Sequence, residues 1–148
     1  MHCVSICLIE TRHDASVKIK VIITAILNLT QHAATPEQIA QGVGDLNPRH
    51  GEIQQLKSLL TFESLPTAEE VYERAYAIAA LAQSYFVDVA MIGGAPYLMG
   101  ALERALNNVG IKPVYAFSER VSEEQVQEDG SVHKVNVFKH IGFVEVWP

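Results

Sequence analysis

Ile92-Gly93-Gly94-Ala95-Pro96 is the stretch of this chain best suited to hold a ligand. Two glycines follow an apolar run and precede a proline suited to the first position of a helix. Such a turn leaves backbone N–H groups at a helix N-terminus, where they and the helix dipole suit a phosphate or carboxylate. Glycine lets the backbone approach a ligand without a Cβ in the way. The turn is not a GxGxxG fingerprint and lacks the lysine of a P-loop. A tight strand-to-helix turn that binds nothing has the same sequence, so the turn needs support from elsewhere.

Two polar triplets offer it. Thr30-Gln31-His32 follows one apolar run and Ser118-Glu119-Arg120 follows another. Thr30 and Ser118 carry hydroxyls, and Arg120 has the planar fork that grips a phosphate through two hydrogen bonds. His32 suits an acid, a base or a phosphate donor, although a surface histidine bonded to a nearby carbonyl reads the same. If all three runs are parallel strands, their carboxyl ends share one edge of the sheet and the loops are expected to line one pocket. Lys134, Lys139 and His140 add local positive charge further on. Glu123 and Glu124 read as a solvated acidic stretch with Glu128 and Asp129.

No metal or cofactor is expected. Cys3 and Cys7, with His2 and His13 nearby, lack a second ligand pair at zinc-site spacing, and His133 and His140 form no recognised metal spacing. No serine–histidine–aspartate order or cysteine nucleophile is supported. Tyr97, Leu98, Met99 and Leu102 read as helix core and not as a base-stacking box.

The elements that must position these residues alternate between strand and helix. Residues 21–29 are rich in β-branched side chains and nearly continuous in apolarity, as a strand buried on both faces is. Residues 87–92 and 113–117 read likewise. Thr35, Pro36 and Gln38 form a capping-box pattern opening a helix that ends near Gly42. Asp45 to Pro48 is a turn, and residues 52–60 form an amphipathic helix. Thr67 caps a longer, alanine-rich helix reaching about Gln83. Pro96 opens a helix that stops at Gly110. Residues 123–137 read as a hairpin around a two-residue Asp129-Gly130 turn, and residues 143–147 as a last strand. The run from 87 to 117 makes one right-handed parallel unit. The predicted fold class is α/β, a Rossmann-like, mostly parallel sheet flanked by helices with a C-terminal antiparallel hairpin. Residues 21–148 form a single domain. Residues 1–20 read as a poorly ordered extension, or as an extra edge strand formed by Val4 to Ile9.

Composition sets limits. The chain has 148 residues, 49% hydrophobic and 19% charged, which suits one globular domain with a sizeable core. Its net charge of −6 argues against non-specific binding to duplex DNA or an anionic membrane, but leaves room for a small anionic ligand in a locally positive pocket. Two cysteines give no disulfide framework, so a cytoplasmic location is expected. No apolar run is long enough to span a bilayer, and the start of the chain lacks a signal-peptide pattern.

Two stretches resemble small CRISPR-associated Rossmann fold proteins of the ring-nuclease type, and related phage-encoded proteins. The first is Asn28-Leu29-Thr30-Gln31-His32 with Thr35-Pro36-Glu37-Gln38. The second runs from Met91-Ile92-Gly93-Gly94-Ala95-Pro96 through Pro113 to Arg120, then Asp129-Gly130-Ser131-Val132 and Phe138-Lys139-His140-Ile141-Gly142-Phe143. The resemblance implies binding of a cyclic oligoadenylate second messenger by a homodimer, and in some members its cleavage. That cleavage needs no metal: a ribose 2′-hydroxyl attacks the adjacent phosphate while the protein supplies in-line geometry and charge stabilisation. Carried onto this chain, Gly93 and Gly94 donate to phosphates, with Gln31 and Ala95 beside them. Thr30 and Ser118 hold phosphate or ribose, Arg120 stabilises developing charge, and His32 or His140 moves a proton. This chain departs from the pattern in its first twenty residues and in having no basic residue in the glycine turn. Two other readings stand beside this one. One is a sponge or sensor that binds a nucleotide signal without chemistry; the other is a sugar- or nucleotide-handling enzyme that shares only the fold.

Overall fold

The computed structural model describes residues 5–13 and 16–146, with side chains from Ala25 onward. The Cys3 and Cys7 pair, with His2 and His13, falls outside the described side chains, and Val4 and Trp147 lie outside the described residues. Ser5–His13 (β1) and Ser16–Thr24 (β2) form a two-stranded antiparallel sheet of their own.

The second sheet has five strands. Ile26–Asn28 (β3), Val43–Gly44 (β4), Val89–Met91 (β5), Lys112–Val126 (β6) and Val132–Glu145 (β7) stand in the order β4-β3-β5-β6-β7. The first four are mutually parallel, and β7 returns antiparallel to β6. This is the expected α/β class: a mostly parallel sheet, flanking helices and a C-terminal hairpin. The helices are Pro36–Ala40 (α1), Glu52–Leu60 (α2), Ala68–Gln83 (α3) and Pro96–Asn108 (α4).

Each helix starts where local chemistry allows. Thr35 and Gln38 close a full capping box on α1, with Pro36 in its first turn. The Thr67 hydroxyl accepts from the Glu70 amide to cap α3. Gly110 adopts the left-handed conformation that ends α4. Alanines at 75, 79 and 82, with Ile78, give α3 a flat face against Leu98, Ala101, Leu102 and Ala105 of α4. Both helices cover Leu27, Leu29, Ala90 and Ile92 of the sheet region. Burying one leucine of this core contributes about 1.5–3 kcal/mol. A smaller cluster of Val43, Met91 and Val114, packed with Ala34 and Phe143, forms on the opposite face.

Several expected boundaries move. The run 21–29 is not one strand: Val21 to Thr24 pair with residues 5–8 in the β1–β2 sheet, and the core strand begins at Ile26. A continuous apolar run carries no mark of where one ladder ends and another begins. The short β4 was not foreseen; two residues are too few to show a period. The segments 113–117, 123–137 and 143–145 are not separate strands but belong to one long hairpin, with a bulge between Phe117 and Ser118; the expected end of the last strand at Trp147 lies outside the described residues. Its connection spans residues 127–131 and not two residues: Gln127 N–H donates to Ser131 O and Gly130 N–H to Gln127 O. Asp129 caps this loop by accepting from the Ser131 amide at 2.9 Å.

Candidate functional site at the carboxyl edge of the sheet

From β3 the chain crosses to β4 on one side, and from β5 it crosses to β6 on the other. The strand order therefore reverses between β3 and β5, and a crevice opens at their carboxyl ends. Thr30-Gln31-His32 leaves one strand there and Gly93-Gly94 leaves the other. Together they line a depression of about 570 Å³, with Tyr115, Ala116, Thr35 and Gln38 completing its walls.

Asn28 builds the first wall. It is 4% exposed, and its amide is fully engaged. Nδ2 donates to Asp45 Oδ1 and to His32 O, each at 2.7 Å. Oδ1 accepts from Thr30 N–H at 2.9 Å and lies 2.7 Å from the Thr30 hydroxyl. Asp45 also accepts from Ala34 N–H at 3.0 Å. Residues 30–34 are thereby tied to the end of β3 from both sides. The Thr30 hydroxyl has one proton, shared between Asn28 Oδ1 and His32 O, so toward the pocket it serves as an acceptor and not as the donor its sequence suggests. Gln38 Oε1 is held by Thr35 N–H at 3.0 Å, which leaves its amide nitrogen to donate.

The second wall is the glycine turn. Ile92 N–H still belongs to the sheet, donating to Val114 O. No acceptor among the described residues takes the amides of Gly93, Gly94 or Ala95. Gly94 has φ +155, a region that side chains with a Cβ rarely adopt. Pro96 opens α4, so the free amides stand at the positive end of a four-turn helix. Tyr115 donates its hydroxyl to Glu103 Oε1 at 2.7 Å. Burial first, then the Glu103 hydrogen bond, hold that phenol well above its ordinary range, so this wall stays uncharged. No lining residue of the depression carries a permanent charge.

A second depression of about 520 Å³ adjoins the first across Thr35 and Gln38, which line both. Ser118, Lys139 and His140 lie there, beside the carboxylates of Glu37 and Glu123. His140 Nε2 is 3.0 Å from Gln41 Oε1, and Gln41 Nε2 donates to Ile141 O at 3.3 Å. With that amide orientation Nε2–H donates to Gln41 Oε1. Nδ1 is buried without a partner among the described residues.

Sequence-expected residues thus fall into three groups. Thr30, Gln31, His32, Gly93 and Gly94 meet at the central depression. Ser118 and His140 face the adjoining one, while Ala95 lines neither and stands as the N-cap residue of α4. Arg120 lines neither: it lies in the hairpin arm with its guanidinium 5.7 Å from the Phe138 ring centroid. The expectation that Ser118-Glu119-Arg120 forms a loop at a strand's end is corrected, because β6 continues through it to Val126. Asn28, Asp45, Gln38 and Tyr115 were not singled out as site residues. A lone asparagine closing an apolar run was the available signal for Asn28.

Among the described residues, no cluster of three or more metal-ligating side chains occurs, and no helix is long and apolar enough to cross a membrane.

A family model described as "Uncharacterized protein MJ1673 family" matches residues 24–144. No curated protein and no solved structure matches the chain. The chain belongs to the MJ1673 family.

Proposed function

We propose that this member of the MJ1673 family binds a cyclic oligonucleotide of the cyclic oligoadenylate class, as a homodimer, in CRISPR or phage-defence signalling. The observation that carries the reading is the depression between β3 and β5, where the unclaimed Gly93 and Gly94 amides meet Thr30, Gln31 and His32. Amides at a helix N-terminus suit a phosphodiester oxygen, and a hydrogen bond to a charged group contributes about 1.5–3 kcal/mol. The Thr30 hydroxyl oxygen suits a ribose hydroxyl or an adenine amino group as an acceptor, and the Gln38 amide suits a ring nitrogen as a donor. The adjoining hollow has room for a ligand that extends beyond one nucleotide, with Ser118, Lys139 and His140 to meet a phosphate and the carboxylates of Glu37 and Glu123 to meet sugar hydroxyls or base amino groups. Both depressions are open, and a second copy across a two-fold axis doubles the donors around a symmetric ring.

Binding is better supported than cleavage. Attack by a 2′-hydroxyl needs a group to move the proton and a charge to stabilise the phosphorane. His32 stands at the pocket for the first task, and this favours cleavage as the second reading. Arg120, the residue the family resemblance assigns to the second task, lies away from both depressions. Titrating the full chain with cyclic tri-, tetra- and hexa-adenylate in a calorimeter, then chromatographing the mixtures, tests both readings. One ring size is expected to bind in the micromolar range or tighter and to emerge intact. If none of the three binds, the ligand class is wrong. If a linear product accumulates, the protein is a nuclease.

A further inference from the structure

The outer part of the β6–β7 ribbon is exposed on both faces. Of residues 118–126, only Val121 is even partly shielded, while Val126 is 74% and Phe138 71% exposed. Among the described residues no third strand joins it. The β5–β6 ladder ends at Met91 and Val114, and among the described residues the outer edge of β7 takes only the Gln41 amide. A two-stranded ribbon on its own is marginal in water, and the free edge of β6 presents a row of unpaired N–H and C=O groups.

We infer that Ser118–Val126 of β6 pairs antiparallel with the same segment of a second copy, about a two-fold axis at Ser122. Charge selects that occupant and that register. Centring on Glu123 sets it against its own copy; centring on Val121 opposes Glu119 and Glu123; centring on Arg120 opposes two guanidinium groups. Centring on Ser122 places Arg120 opposite the partner's Glu124, twice by symmetry, and Glu119 opposite the partner's Gln125. Within each ribbon Glu124 already stands opposite Lys134, and Arg120 opposite Phe138. One face of the four-stranded sheet therefore reads Lys134, Glu124, the partner's Arg120, the partner's Phe138. Charged residues on an edge commonly block pairing; here they are complementary in one register and opposed in its neighbours. The edge of β7 carries Lys134, Lys139 and two histidines, with no acid before Glu145, so it offers no such match to its own copy. This inference rests on the homodimer part of the proposed function and is independent of what the pocket binds.

The experiment uses the full chain without nucleotide, in an analytical ultracentrifuge. Arg120→Glu and Glu124→Arg should each raise the dimer dissociation constant about tenfold, since each turns two attractive pairs into repulsive ones. The double exchange should return it toward the wild-type value. Residues directly opposite in antiparallel strands have Cα atoms about 4.5–5.5 Å apart, within disulfide range. Mild oxidation of Ser122→Cys should therefore give a covalent dimer whose bridge maps by peptide mass to position 122, while oxidised wild type shows no bridge there. A dimer indifferent to both charge reversals, and not bridged at position 122, overturns this edge and leaves the homodimer standing. A wild-type monomer overturns both, and adenylate binding by that monomer leaves the pocket reading intact.

Discussion

Asn28 Nδ2 donates to Asp45 Oδ1 at 2.7 Å, joining the last residue of β3 to the residue just past β4. The same asparagine orders Thr30 and His32, so a contact beneath the pocket decides the shape of its rim. Asn28→Ala leaves the Thr30 amide unmatched and Asp45 short of a donor. Its stability in urea should fall by about 2–3 kcal/mol. Amide exchange at Thr30 and Ala34 should speed up more than at the α3 core. Unchanged exchange in this loop would show that Asn28 does not organise it.

Gly94 and Gly93 should respond differently to a methyl group. Gly94 has φ +155, and an added Cβ would also stand 3.4 Å from Met99 Cε. Gly94→Ala should therefore destabilise the protein by about 1–3 kcal/mol. At Gly93 the nearest atom to a new Cβ is Thr30 Cγ2, at an ordinary 3.6 Å, and φ is not positive. Gly93→Ala should stay within about 1 kcal/mol of wild type while narrowing the pocket. Equal losses in chemical denaturation would contradict the role given to the Gly94 backbone.

His32→Ala separates recognition from chemistry. Its ring is exposed at the pocket, and the contact that shapes the loop comes from its backbone carbonyl. Affinity for the preferred cyclic adenylate should change little. Any ring opening by the wild type should drop by about a hundredfold or more, the contribution of a positioned acid or base. Turnover that survives this substitution assigns proton transfer elsewhere.

The protein should lose stability in alkali. Tyr85 donates to the Glu52 carboxylate and accepts from Asn47 N–H at 2.8 Å. Burial, followed by the Glu52 hydrogen bond, pushes its phenol from 10.0 up to about 12. Between those values the unfolded chain has released the proton and the folded protein has kept it. The contribution is thus complete below pH 10 and is lost as pH rises toward 12. Urea midpoints should fall across that window. Tyr85→Phe should start lower at pH 8 and fall less steeply, with the residual slope coming from Tyr115. A variant as steep as the wild type would remove Tyr85 from the account.

Local chemistry was legible in the sequence where neighbours in the chain enforce it. The Thr35–Gln38 capping box, the Thr67 cap, the Pro96 start, the Gly110 stop and the α/β alternation all follow from backbone hydrogen-bonding needs within a few residues. The pairing of Thr30-Gln31-His32 with Gly93-Gly94 also followed, because parallel strands carry both carboxyl ends to one edge. Only the tertiary structure decided the rest. Val21 to Leu29 divides between two sheets because a partner strand far along the chain, and not the run itself, decides where each ladder stops. The reversal of strand order that opens the crevice depends on which side of β3 the two-residue β4 takes. Arg120 left the expected site because β6 kept its pairing with β7 past the bulge at Ser118, and six further residue pairs beyond Arg120, from Val121–Val137 to Val126–Val132, hold it in the arm. Hydrogen bonding between strands is satisfied across the chain and not along it, so the length of a strand is settled by its partner.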